Sequence, residues 1–238
     1  MNQKLLIKKR FCGPPNSGNG GYVCGMLDKE TPYISEVTLR MPPPLEKDLD
    51  LNWQDDQQLT LLDGTDLVAS VRPGKIQLKA PPAPSFEEAA QAAKRHIGYR
   101  QPTAFPTCFV CGLERPEQDG LQIYSGKLEG QNIYAAPWVP DASLEAADGW
   151  VGIEFLWAAL DCPGAYAVMK EELMTVVLGR MTAQIVRNIK VGERCVVISW
   201  SKGQERKKHF CGTAIYNEND QLCAVGDAIW IRLDQTPS

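Results

Sequence analysis

Three blocks from the first half of this chain return in the second half in the same order, and this repeat restricts the fold more than any bulk property does. GYVCG, Gly21 to Gly25, matches GWVGI, Gly149 to Ile153. RMPPPLEKDLDLNW, Arg40 to Trp53, matches RNIKVGERCVVISW, Arg187 to Trp200, without a gap, pairing Glu46 with Glu193 and Trp53 with Trp200. LVASVRPGKIQL, Leu67 to Leu78, matches LCAVGDAIWIRL, Leu222 to Leu233, also without a gap. Three matches in one order point to a tandem duplication of a small unit. A chain of 238 residues has room for two. We expect an N-terminal unit over residues 1–80, a linker over 81–104 and a C-terminal unit over 105–238. The linker opens with extended, Pro-rich APPAPS. Ser85-x-x-Glu88 then forms a capping box ahead of a surface helix from about Phe86 to Ile97.

Each unit reads as a helix followed by strands. Gly149 to Cys162 carries only Glu154 and Asp161 as charges, so this helix must be buried on most sides. Asp148 is expected to cap its start and Pro163-Gly164 to stop it. VVLGRMTAQIVRNI, ERCVVISWS, RKKHFCGTAIYN and QLCAVGDAIWIRL then read as consecutive strands, parted by turns at Lys202-Gly203 and at Asn217 to Asp220. With no helices between them, they should pair as an antiparallel sheet that curls around the helix.

Charge and composition exclude several classes. The net charge is −4 and no basic block occurs, so nucleic acid is not an expected partner. The longest apolar run, VGIEFLWAAL, is too short to span a bilayer. Eight cysteines without a recognisable secretion signal suggest reduced thiols and a cytoplasmic setting. Cys108-x-x-Cys111 has no second such pair, so a structural turn or strand is expected there and no metal. Neither a G-x-x-x-x-G-K-[ST] phosphate loop nor a G-x-S-x-G elbow is present.

NGGY, Asn19 to Tyr22, resembles the Gly-Gly helix start of hotdog thioesterases. The run LGRMTAQI…GERCVVISW…KKHFCGTAIY…LCAVGDAIWI is similar to the strands of that superfamily. The resemblance implies an α+β double hotdog: two antiparallel sheets, each wrapped around a central helix, forming one intramolecular pseudo-dimer. It also implies a small-molecule acyl thioester of coenzyme A or of a carrier protein as substrate. No cofactor is expected beyond the coenzyme A of that substrate. The protein would be a monomer or a homodimer. The family's dehydratases need a histidine in the site. Here only His96 and His209 occur, neither at a helix start.

The resemblance further implies a site at the junction of the two units. Asn19, Gly20 and Gly21 would offer backbone N–H groups to an oxyanion at a helix N-terminus. An acid is expected two turns along the same helix, where Asp28 stands seven residues after Gly21. The second copy departs from this pattern, with Leu156 seven residues after Gly149. It offers Glu154 and Asp161 instead, seven apart on one helix face. One composite site would join Asn19, Gly20 and Gly21 to Glu154 or Asp161. The other would join Asp148, Gly149 and Trp150 to Asp28. Plain structural roles are the alternative: Asp28 as a solvated helix end, Glu154 in an ion pair with Arg180 or Arg187, and Asp161 frayed into solvent or bonded to the following turn. Carboxylate-assisted hydrolysis therefore stands beside a second possibility, a non-catalytic module that holds acyl-CoA or another apolar ligand.

Overall fold

A computed structural model describes residues 3–116, 118–170, 172 and 174–234, so the outer limits of the two expected units, residues 1 and 238, lie outside it. The first half carries β1 (Gln3–Leu6), α1 (Gly20–Asp28), β2 (Ser35–Leu39), β3 (Asp48–Asp55), β4 (Gln58–Asp63) and β5 (Asp66–Pro73). A connecting stretch holds α2 (Phe86–Ala93). The second half carries β6 (Gly126–Lys127), β7 (Ile133–Trp138), β8 (Glu145–Ala147), β9 (Trp150–Val151), α3 (Ile153–Met169), β10 (Val176–Ile185), β11 (Cys195–Glu205), β12 (Lys208–Tyr216) and β13 (Leu222–Arg232).

Two separate sheets, one per unit, were expected, but among the described residues one eleven-stranded sheet joins both halves, in the order β1-β3-β4-β5-β2-β10-β13-β12-β11-β7-β6, with β8 and β9 pairing apart from it. The seam is the antiparallel β2–β10 pair, with Met181 opposite Val37. The Arg180 guanidinium reinforces it, donating to Thr38 Oγ1 at 3.0 Å and meeting Glu36 at 3.4 Å. On either side of the seam the strand order mirrors itself: β5, β4, β3, β1 one way and β13, β12, β11, β7 the other. The second and third repeat blocks fall on matching strands, β3 with β11 and β5 with β13. The first block does not. Gly21 lies inside α1, whereas Asp148 and Gly149 form the turn between β8 and β9. Both have positive φ, 52° and 79°, which rules out a helix start at that point. The N-cap of α3 is Gly152.

The strand sequences record which faces are covered. In β3, Leu49 and Leu51 are buried and alternate with the polar Asp48, Asp50 and Asn52, as one-sided packing requires. In β11, Cys195, Val196, Val197 and Ile198 are all buried. Cys195 and Val197 join the main core beneath α3, while Val196 and Ile198 join a second core on the other face. That second core is closed by α2, whose Ala89 and Ala92 are fully buried. The Ser85–Glu88 capping box is present, and α2 ends at Ala93, four residues short of the expected limit.

α3 runs through Pro163 to Met169 instead of stopping. A proline inside a helix costs about 3 kcal/mol. Every residue from Phe155 to Met169 is buried, and each large apolar side chain so placed returns about 1.5–3 kcal/mol. The Ser199 hydroxyl donates to the Pro163 carbonyl at 2.7 Å, tying the helix to β11. α3 packs against β7, β10, β11, β12 and β13, and α1 packs against α3, β2 and β10. Among the described residues, no helix is long and apolar enough to cross a membrane.

His96, fully buried after α2, sets a pH response. Its Nδ1 lies 2.9 Å from the Ser125 carbonyl, so that nitrogen carries the proton, and Nε2 has no partner among the described residues. Burial holds its pKa below the ordinary 6.5 despite that hydrogen bond. The unfolded chain then binds the extra proton more readily than the folded one. Stability is full above about pH 6.5 and falls as pH drops toward the folded-state value, by at most about 1.4 kcal/mol per unit. The raised pKa of the buried Asp161 carboxyl contributes a slope of opposite sign in this range, so the effect is read as a difference: in urea unfolding between about pH 7 and pH 5, the stability of His96→Gln relative to the wild type should rise as the pH falls. An unchanged slope in the variant would assign the effect to other groups.

Candidate active site

Asn19 caps α1 by accepting the Tyr22 N–H on its Oδ1 at 2.9 Å. This fixes its amide nitrogen, which donates to Asp161 Oδ2 at 2.9 Å. The Gly21 N–H donates to the same oxygen at 3.1 Å. Asp161 is only 2% exposed. It sits in the middle of α3, not at a frayed end, because the helix continues past Pro163. Burial pushes its pKa up to about 7, helped by the Cys108 charge and opposed by the Gly21 and Asn19 hydrogen bonds. Its second oxygen, Oδ1, has no hydrogen-bond partner among the described residues.

Asp161, Asn19 and Gly20 line a cavity of about 600 Å³, whose wall also includes Leu39, Met41, Met169, Val176, Leu178 and Trp230. The Gly20 N–H makes no hydrogen bond among the described residues. Glycine is required at that position, since a Cβ would lie 2.9 Å from the Leu178 side chain. One small volume therefore holds a free backbone donor at a helix N-terminus, a buried carboxylate with an open oxygen, and an apolar wall.

The two helices meet through glycines. A Cβ on Gly21 would lie 2.5 Å from Asp161 Cβ and 2.7 Å from the Trp157 carbonyl. A Cβ on Gly25 would lie 2.6 Å from Glu154 Cα. These contacts set the α1–α3 separation, and with it the reach from Gly21 to Asp161.

The other predicted residues divide differently. Asp28 stands nine residues after the α1 cap and Asp161 nine after the α3 cap, so the two acids are counterparts. Asp28 accepts from Trp157 Nε1 at 3.2 Å, and burial raises its pKa against hydrogen bonds from Ser35 and Trp157. It is neither a solvated end nor directed at helix amides. Glu154 occupies the α3 position that Gly21 holds in α1, and it pairs with Lys29 at 3.1 Å, not with Arg180 or Arg187. Asp148, Gly149 and Trp150 belong to the β8–β9 hairpin, with Trp150 stacked under Lys190 Nζ at 5.1 Å. Among the described residues no hydrogen bond links them to Asp28, which accepts from Trp157, and the α3 N-cap is Gly152.

Sequence reasoning missed the sulfur environment. Cys108, Cys111 and Cys162 also line the cavity, with their Sγ atoms all within 4.8 Å of one another. The position of Cys162, next to Asp161, was the available signal.

No protein-family model matches the sequence, and no curated protein matches it. Solved structures do. The acyl-CoA thioesterase II TesB2 from Mycobacterium marinum superposes with a TM-score of 0.61 at 10% identity, covering 99% of this chain and 93% of that one. The TesB protein of Mycobacterium avium subsp. paratuberculosis gives 0.60 at 10% identity, over 92% and 89%. A conserved protein of unknown function with a hot dog fold from Alicyclobacillus acidocaldarius gives 0.55 at 8% identity, over 98% and 93%. At these identities the likeness is one of fold. The chain has the double hotdog fold.

Proposed function

We propose that the protein hydrolyses acyl thioesters of the coenzyme A type at one working site, formed by Asn19, Gly20 and Gly21 with Asp161. The observation that carries this reading is the buried Asp161 carboxylate, held by Asn19 and the Gly21 N–H at the wall of an apolar cavity. An acyl chain fills the cavity, and its carbonyl oxygen accepts from the Gly20 N–H. Asp161 Oδ1 takes a proton from a water molecule as the water oxygen bonds to the acyl carbon. The negative charge on the tetrahedral intermediate is stabilised by the helix N-terminus. The C–S bond then breaks, and the leaving sulfur takes up the proton from Asp161. The second site is degenerate on this reading, because Glu154 brings a carboxylate where the first site has Gly21. The acyl-CoA thioesterase name of one similar fold is consistent with it. We further infer that the two units, residues 1–80 and 105–238, arose by duplication, since the mirrored strand order follows the repeat.

Arg40 is exposed at the cavity and pairs with no carboxylate among the described residues. It is the cation placed to meet coenzyme A phosphates. A panel of acyl-CoA substrates, with thiol release followed by a chromogenic reagent, tests the reaction. Turnover of some chain lengths is expected, and Arg40→Gln should raise KM severalfold with kcat little changed. Tight acyl-CoA binding without turnover on any chain length would instead favour the non-catalytic module.

A further inference from the structure

The thiol cluster behind Asp161 lies outside the hydrolytic chemistry just described. Cys108 and Cys111 sit on the loop over residues 105–123, and Cys162 comes from α3. The loop is built to present its two sulfurs together. The Gly112 N–H closes on the Cys108 carbonyl at 2.8 Å, and a Cβ on Gly112 would lie 2.6 Å from that oxygen, so only glycine closes the turn. The loop is then anchored by Phe109 N–H to the Cys12 carbonyl at 2.7 Å and by Ile123 N–H to the Val110 carbonyl at 2.9 Å.

Buried cysteine commonly acts as a small apolar filler. The surroundings here are those of a ligand set. The Cys108 and Cys162 sulfurs are 3.5 Å apart, well beyond a covalent S–S bond. Tetrahedral thiolates at about 2.3 Å from zinc stand about 3.8 Å from each other. Polar groups converge on the sulfurs: the Asn19 amide at 3.9 Å from both Cys108 and Cys162, and the Tyr166 hydroxyl at 3.3 Å from Cys111. All three cysteines also border the cavity. There Asp161, 2% exposed, marks a polar corner with its second oxygen, Oδ1, unpartnered among the described residues.

We propose that Cys108, Cys111 and Cys162 bind one zinc(II) ion as three thiolates, with the fourth position facing the cavity and filled by water. Any thiol proton leaves to solvent as its S–Zn bond forms, and no electron is transferred. Three sulfurs select a soft ion, and room for an oxygen on the cavity side suits four-coordinate zinc. The ion would fasten the 105–123 loop to α3 beside the site. The proposal does not depend on the hydrolysis reading, and failure of either leaves the other standing.

The test uses the full chain, reduced, stripped with a chelator and titrated anaerobically with cobalt(II). One equivalent should give thiolate-to-cobalt charge transfer in the near ultraviolet and the intense visible bands of tetrahedral cobalt. Zinc should displace both and raise the Tm of the protein. Cys162→Ser and Cys108→Ser should lose the bands, while Cys223→Ser, at a buried cysteine outside the cavity, keeps them. Circular dichroism checks that each variant is folded. Absence of the bands in folded, reduced wild-type protein overturns the proposal, whatever the variants do. So does their persistence in Cys108→Ser/Cys162→Ser.

Discussion

Asp161→Asn should lower thioester hydrolysis by about 10²–10⁴-fold, the usual worth of a positioned general base. Asparagine has the same shape and can still accept the Gly21 N–H and Asn19 hydrogen bonds through its carbonyl oxygen. The helix junction should stay intact and the fold unchanged by circular dichroism. The loss should fall on kcat, because the acyl pocket is untouched and KM follows binding. Asp28→Asn and Glu154→Gln serve as counterparts, one tied to Trp157 and the other to Lys29. Each should retain most of the activity. If Asp161→Asn hydrolyses normally while Asp28→Asn is inactive, the working site has been assigned to the wrong half.

Gly25→Ala should destabilise the protein, although alanine is the better helix former by about 1 kcal/mol. The sign discriminates. In open space this change would raise stability, but the added Cβ meets the backbone Cα of Glu154, which has no rotamer to give. Overpacking of this kind costs about 1–3 kcal/mol or more. For a chain of this size that is a Tm loss of several degrees, at roughly 2–4 °C per kcal/mol. A raised Tm would show that α1 and α3 are not in close contact. Gly21→Ala presses on Asp161 Cβ as well, so it should lose activity along with stability.

The strands were legible because their burial is written in their alternation. β3 alternates and β11 does not, and both patterns follow from which faces a helix covers. The helix junction was legible only in part. Asn19, Gly20 and Gly21 were expected beside Glu154 or Asp161, and the structure puts Asn19 and Gly21 in hydrogen-bond contact with Asp161. The aligned pair Gly21 and Gly149 set the second helix start too early, and that shift hid the match between Asp28 and Asp161. GYVCG and GWVGI look alike, but only φ shows that Asp148 and Gly149 turn a hairpin. Pro163 misled for a different reason: local propensity marks a stop, and the surrounding sheet overrides it. The cysteine cluster was hidden because its third sulfur lies 51 residues after Cys111, on a helix whose composition reads as plain core.

The β2–β10 seam carries a consequence for concentration. Asn19 and Asp161 come from opposite sides of it. Were the halves separate molecules, the site would form by association and thin out on dilution. Here the connecting stretch makes that encounter intramolecular, at an effective concentration set by its own length. Specific activity should therefore stay constant down to the lowest assayable protein level.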